Sequence, residues 1–327
     1  MQVLRDAESM RAFTRQHRKS GRSVALVPTM GFLHAGHLSL IREAKQHADI
    51  VVVSIYVNPT QFAAHEDFGV YPRSVEDDHE KLAHLHVDAV FEPASLYARV
   101  GNAMDNENVI GAAQRQHGAH ETFVEVQQLQ KGLCGDSRPH FFRGVATVVA
   151  KLFNIVEPDV AVFGQKDYQQ WRVICRMVRD LDFPIQIIGV PTEREADGLA
   201  MSSRNALLTP QSRQQAPAIY QSLQWAVNAV AEGEASSAGA IKAEIRRRLA
   251  DAGGVVDYVE VVDAENLNTV EDLRKQPTLL AVAVKFGSVR LIDNIVIHPK
   301  VNSCSHTHVC QRQPCTAGLK VQTGCLP

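Results

Sequence analysis

The stretch VPTMGFLHAGHLSLIREA, residues 27–44, decides the fold class of this chain. It begins inside an apolar run, VALV from residue 24, which stops at Pro28; a glycine-punctuated turn carrying His34 and His37 follows, and a helical pattern takes over at Leu38. A continuous apolar run, as opposed to an alternating one, marks a strand buried on both faces. Five further β-type runs follow in the first two-thirds of the chain: IVVVSIYV from 50, DAVF from 88, TFVEV from 122, VAVF from 160 and IQIIGV from 185. Helical patterns fall between them at about 37–48, 75–86, 144–156 and 168–181. Strand and helix alternate, so the expected fold is α/β, a Rossmann-like parallel sheet covered on both sides.

Beyond Gly189 the character changes. A polar loop to about Asn205 leads to two helical segments at about 211–231 and 238–251, then to three strand-like runs, VDYVEVVD, LLAVAVKF and VRLIDNIVI. The expected organisation is a first domain over 1–189, with an inserted irregular segment at about 99–120, and a smaller C-terminal α+β domain over 190–299. Residues 300–327 lack sustained periodicity and are expected to form a disordered tail. The tail's CSHTHVC, with Cys315 nearby, matches no regular zinc spacing.

Bulk properties exclude several function classes. A chain of 327 residues with 45% hydrophobic and 21% charged content is an ordinary globular protein. Thirty-four basic against thirty-six acidic residues leave a net charge of -2, so no basic field invites nucleic acid, and a polyanion has to be held locally. The first residues mix charges without the apolar core of a signal peptide, and no run is long enough to cross a bilayer. Of six cysteines, Cys134 and Cys175 stand alone and the others crowd the tail, which fits a reducing, cytoplasmic setting.

In a parallel α/β sheet, ligands bind beyond the carboxyl ends of the strands, where helix N-termini offer free N–H groups to anions. The turn 29–36 lies at such an edge. Gly31 and Gly36 allow close approach, and His34 and His37 can donate hydrogen bonds to phosphate oxygens or carry positive charge. This suits a nucleoside triphosphate attacked at its α-phosphate. FGQKDYQQ, residues 163–170, sets Lys166 and Asp167 at a second strand-end turn, and DGLAMSSRN, residues 197–205, offers two hydroxyls and Arg204. Taken alone, HAGH reads as a helix-capping turn, GQKD as a solvated turn and MSSRN as a cap.

Together, HAGH and MSSRN resemble the paired signatures of the HIGH-motif adenylate-forming superfamily. VALVPTMGFLHAGHLSLI, VVVSIYVNPTQF, SRPHFFRGVATVVAKLFNIVEPDVAVFGQKDYQQ and DGLAMSSRN, in that order, resemble the pantothenate synthetase (pantoate–β-alanine ligase) family over about residues 1–299. The 99–120 segment and the FFRGVATVV wording resemble plant-type members. A nucleotidyltransferase of the same superfamily would share the HxGH turn but not VNPTQF.

The resemblance implies a ligase that forms pantoyl adenylate from pantoate and ATP with Mg2+, then releases AMP as β-alanine attacks. It implies ATP binding by Met30, Gly31, His34, Gly36, His37, Gly164, Gln165, Lys166, Asp167, Met201, Ser202, Ser203 and Arg204. His37, His34, Lys166, Ser202, Ser203 and Arg204 would be catalytic, with His37 the usual choice for proton donor. Pantoate would be held by Gln61 and Gln170, with Asn58, Tyr71 and Met30 bordering its pocket, and β-alanine would also meet Gln61. Asp77 would belong to the magnesium environment. A homodimer is implied as well. Where many members read SRPGHFRGV this chain reads SRPHFFRGV, so Phe141 stands where a histidine is expected, with His140 beside it and Arg138 and Arg143 as phosphate contacts.

Overall fold

The computed structural model describes residues 1–63, 66–97, 120–235 and 237–299. The expected insertion, apart from His120, and the expected tail lie outside the described residues.

Alternate residues of a strand face opposite sides of its sheet, and the run VALV shows this directly. Val24 and Leu26 pack into one core with Met10 and Phe13, whereas Ala25 and Val27 pack into another with Leu40, Ile41 and Ala44. Six strands form a parallel sheet in the order β1-β4-β3-β2-β5-β6. They are β1 (Gln2–Leu4), β2 (Val24–Thr29), β3 (Ile50–Ile55), β4 (Ala89–Phe91), β5 (Val160–Gly164) and β6 (Gln186–Val190). The helices of this part are α1 (Ala7–Lys19), α2 (Ala35–His47), α3 (Val75–His84), α4 (Cys134–Ser137), α5 (Phe141–Val156) and α6 (Tyr168–Asp180). Helix α5 is apolar almost all round and is accordingly embedded, with twelve of its sixteen residues buried.

The strand expected at TFVEV does not form. Val124 instead sends its N–H to the Thr147 hydroxyl at 2.9 Å, so the segment is tied to a helix side chain and not to a sheet edge. The sixth strand is Gln2–Leu4, three residues pairing in parallel with Ala89–Phe91. Helix α1, which the sequence reading also passed over, is capped by Asp6, whose carboxylate accepts the Ser9 N–H at 2.8 Å.

The last part of the chain builds a three-stranded antiparallel sheet of β7 (Val255–Asp263), β8 (Thr278–Phe286) and β9 (Val289–Ile297). Leu280, Val282 and Val284 face a core shared with α8 (Ala218–Glu232) and α9 (Ala238–Asp251), while Leu279 and Ala281 face Leu133 and Tyr168 of the first part. The helix expected at 211–231 is two, α7 (Pro210–Gln215) and α8, broken beside Pro217, which has no N–H to continue the ladder. No helix among the described residues is long and apolar enough to cross a membrane.

The chain runs outward from β2 to β3 and β4 on one side, and to β5 and β6 on the other. The switch point therefore lies between β2 and β5, and their carboxyl ends release the HAGH and GQKD turns into one crevice.

Candidate active site

The HAGH turn is held from below. Gly31 and Phe32 both have positive φ, 84° and 53°, a conformation that costs an L-residue such as Phe about 1–2 kcal/mol. Asp78 offsets that cost. Its carboxylate, 1% exposed, accepts the N–H of Phe32 at 2.7 Å and of Leu33 at 2.6 Å. Burial nevertheless pushes its pKa upward, against those hydrogen bonds. Lys81 donates to the Leu33 carbonyl at 2.7 Å and pairs with Asp77 at 2.6 Å. A Cβ on Gly31 would stand 3.1 Å from Asp78 Oδ2, and one on Gly36 would press on the His34 ring at 3.0 Å, so both glycines permit the packing.

The two imidazoles lie with centroids 4.0 Å apart and planes tilted by 38°. The His34 N–H reaches His37 Nδ1 at 3.3 Å, which makes Nδ1 an acceptor and leaves the ring proton on Nε2. Burial, then the charge of Lys166, lowers the His34 pKa to about 4; burial, then His34 and Lys166, lowers that of His37 to about 3. Both rings are therefore neutral near pH 7 in the free protein. Of the two sequence-based options, hydrogen-bond donation and added positive charge, the geometry carries the first.

Both histidines border a cavity of about 930 Å³ at the switch point. Its lining also includes Met30, Gly36, Gln61, Tyr71, Gly164, Lys166, Asp167, Gln170, Met201, Ser202, Ser203 and Arg204. The second sheet reaches in as well. Asn294 of β9 donates through Nδ2 to the carbonyls of Gln165 at 3.0 Å and Lys166 at 2.8 Å, fixing the turn that bears the lysine. Beside it Asp293, buried, pairs with Arg194 at 2.6 and 3.0 Å. The MSSRN loop closes onto the HAGH turn where the Ser203 hydroxyl donates to the Phe32 carbonyl at 3.3 Å.

Five sequence-predicted residues do not line the cavity: Gly31, Gln165, Asn58, Asp77 and Arg143. Asn58 lies behind that lining, 1% exposed, and donates to Gln61 Oε1 at 3.0 Å. Asp77 is committed to Lys81 on the outer side of α3, and no group of three or more His, Cys, Asp or Glu able to hold a metal occurs among the described residues. Arg138 and Arg143, expected as phosphate contacts, are engaged by protein groups. Arg138 pairs with Glu66 at 2.6 Å and lies 3.8 Å over the Phe141 ring, while Arg143 lies over Phe123. Phe141 lines the cavity, but exposed His140 does not, so His140 does not replace the expected histidine. Sequence reading missed Asp78 and Asn294; the only signal was a polar pair, Asp293 and Asn294, interrupting an apolar strand.

A parallel sheet that opens at its switch point into a polar cavity, with a histidine turn and a lysine turn on either lip, defines a nucleotide-binding α/β enzyme of the HIGH-motif class. The sequence profile described as Pantoate-beta-alanine ligase matches residues 2–296, and the chain belongs to that family of ligases. It is 53% identical over 304 residues to a pantoate–β-alanine ligase of Oryza sativa subsp. japonica, covering 90% of this chain and 96% of that one. The corresponding Lotus japonicus protein is 50% identical over 305 residues, with 90% and 98% covered. Among solved structures, a pantothenate synthetase from Thermus thermophilus superposes with a TM-score of 0.79 at 37% identity, covering 91% of this chain and all 100% of that one. A pantoate–β-alanine ligase from Francisella tularensis, complexed with βγ-ATP and β-alanine, gives 0.71 at 31% identity, with 90% and 97% covered.

Proposed function

We propose that this chain condenses pantoate with β-alanine, using ATP, through a pantoyl-adenylate intermediate. The single observation that carries the reading is the Ser203–Phe32 hydrogen bond, which joins the MSSRN loop to the HAGH turn over a cavity that also contains Gln61 and Gln170. A carboxylate oxygen of pantoate attacks the α-phosphorus in line and pyrophosphate leaves. The amine of β-alanine then attacks the acyl carbon, the C–O bond to AMP breaks, and the amine gives up a proton. Charge develops on the phosphate oxygens in the first step, where preorganised donors count most. His34, His37, Lys166, Ser202 and Arg204 supply donors there, Ser203 holds its loop against the HAGH turn, and Met30, Gly36, Gly164, Asp167 and Met201 complete the nucleotide's walls. Gln61 and Gln170 hold pantoate, with Met30 and Tyr71 at its border, and Gln61 also meets β-alanine.

Mg2+ enters as part of the ATP substrate, carried on its phosphates. A cytoplasmic location is supported by the free thiols of Cys134 and Cys175, and a homodimer by the family resemblance alone; light scattering at micromolar concentration tests the latter. The boundary between the nucleotide domain and the smaller domain is set in this reading just after Val190, the last residue of β6, one residue beyond the expected 189/190.

The deciding assay follows AMP release from ATP with pantoate and β-alanine present together or omitted singly. Release that needs both acids is the expected result. Equal release without pantoate overturns the proposal.

A further inference from the structure

The two edges of a carboxamide have nearly the same shape and opposite hydrogen-bonding sense. Which edge Gln61 turns to the cavity therefore decides whether it offers a donor or an acceptor. Gln61 Oε1 is taken by Asn58 Nδ2 at 3.0 Å, while among the described residues Nε2 meets only the Met30 sulfur at 3.1 Å, a weak acceptor. Gln61 thus keeps donor capacity for a substrate oxygen, such as that of a carboxylate or hydroxyl.

Asn58 holds that orientation only if its own amide is fixed. Its Nδ2 also donates to the Gly144 carbonyl at 3.1 Å, and its Oδ1 accepts from Thr60 N at 3.4 Å and Thr60 Oγ1 at 2.9 Å. The remaining donor comes from another part of the chain: Tyr97 OH, at 2.9 Å from Asn58 Oδ1. Tyr97 is 7% exposed and lies outside the cavity lining, so it has no direct path to substrate. The junction is tight, since a Cβ on Gly144 would stand 2.4 Å from the Thr60 carbonyl.

We infer that Tyr97 is a positioning residue for pantoate recognition: its hydroxyl locks the Asn58 amide, which locks Gln61 with its NH2 edge toward the substrate. This rests on the reading of Gln61 as a pantoate ligand. Tyr97→Phe removes the hydroxyl and keeps the ring, and loss of one buried hydrogen bond changes an equilibrium by about 3- to 10-fold. The KM for pantoate is expected to rise by about that factor, with the KM for ATP unchanged and the melting temperature lowered by no more than a few degrees.

The test is a cycle of Tyr97→Phe, Gln61→Ala and the double variant, each assayed for pantoate and ATP dependence, with melting curves. If Tyr97 acts through Gln61, Tyr97→Phe adds nothing in the Gln61→Ala background. An equal effect in both backgrounds, or a parental pantoate KM in Tyr97→Phe while Gln61→Ala raises it, overturns the relay and leaves the site reading standing. A parental pantoate KM in Gln61→Ala overturns the reading of Gln61 and the relay with it. Should Tyr97→Phe not fold, Asn58→Asp serves instead. Its carboxylate still accepts from Tyr97 but cannot donate to Gln61 Oε1, so the same rise in pantoate KM is expected, and its absence rejects the relay.

Discussion

Asn294 donates through Nδ2 to the carbonyl of Lys166 at 2.8 Å, so a strand of the smaller sheet fixes the backbone of a lysine in the turn that follows β5. Lys166 lies at the edge of the cavity, and its charge is felt by both His34 and His37. Misplacing such a group by about 1 Å can cost about 10²-fold in rate.

Asn294→Asp replaces the donor by an acceptor facing two carbonyls. It should slow adenylate formation about 10- to 100-fold, with a smaller effect on attack by β-alanine. Pre-steady-state measurement of pyrophosphate and AMP release separates the two steps. Equal losses in both would point to a general loosening of the fold.

Asp78→Asn tests the support of the HAGH turn. An amide accepts one of the two backbone N–H groups but turns its own donor toward the other, leaving a buried donor unpaired. The expected loss is about 1–3 kcal/mol of stability, read by urea denaturation, together with weaker ATP binding, because Phe32 and Leu33 shape the turn. A variant as stable as the parent, with unchanged ATP affinity, would show the carboxylate to be incidental.

The difference between Asp77 and Asp78 shows where sequence reading stopped. Both sit in the first turn of α3, and no pattern says which one turns inward; the packing of α3 under the Gly31–Phe32 turn decides. Buried strands β2 and β3, and the motifs HAGH, GQKD and MSSRN, were legible because their signals are local. Gln2–Leu4 is too short to carry a period, and TFVEV has β-prone residues but no strand partner. The Asn294–Lys166 and Tyr97–Asn58 contacts join residues 128 and 39 positions apart, and such pairings are set by tertiary packing.

The histidine pair also makes stability depend on pH. With folded pKa values lowered to about 4 and about 3 from 6.5, the unfolded chain binds more protons than the folded one between those values. Stability from this source is complete above about pH 7.5 and is lost as pH falls through 6.5 toward 4, at up to about 1.4 kcal/mol per pH unit for each proton. His17 and His120, also lowered by burial, contribute with the same sign. Denaturant unfolding at pH 7.5, 6.5 and 5.5 should show the decline, and His34→Gln with His37→Gln should flatten it. An unaltered slope in the double variant would mean that the pair is not buried neutral.

The last prediction concerns what His37 does. Its Nδ1 is engaged by the His34 N–H, so the ring offers its Nε2–H as a neutral donor from the first turn of α2. Charge builds on the α-phosphate oxygens during adenylation, and a preorganised donor contributes most at that moment. His37→Ala should therefore slow pantoyl-adenylate formation by about two to four powers of ten. The fold should survive, since His34 N–H loses only a long hydrogen bond of 3.3 Å. Attack of β-alanine on preformed adenylate breaks the C–O bond to AMP without forming charge on a pentacovalent phosphorus, so it should suffer less. Single-turnover experiments supplying either ATP with pantoate or the adenylate itself measure the two steps apart. Adenylate formation at the parent rate in a stably folded variant would reduce His37 to a turn residue, and the donor role would pass to His34 and Lys166.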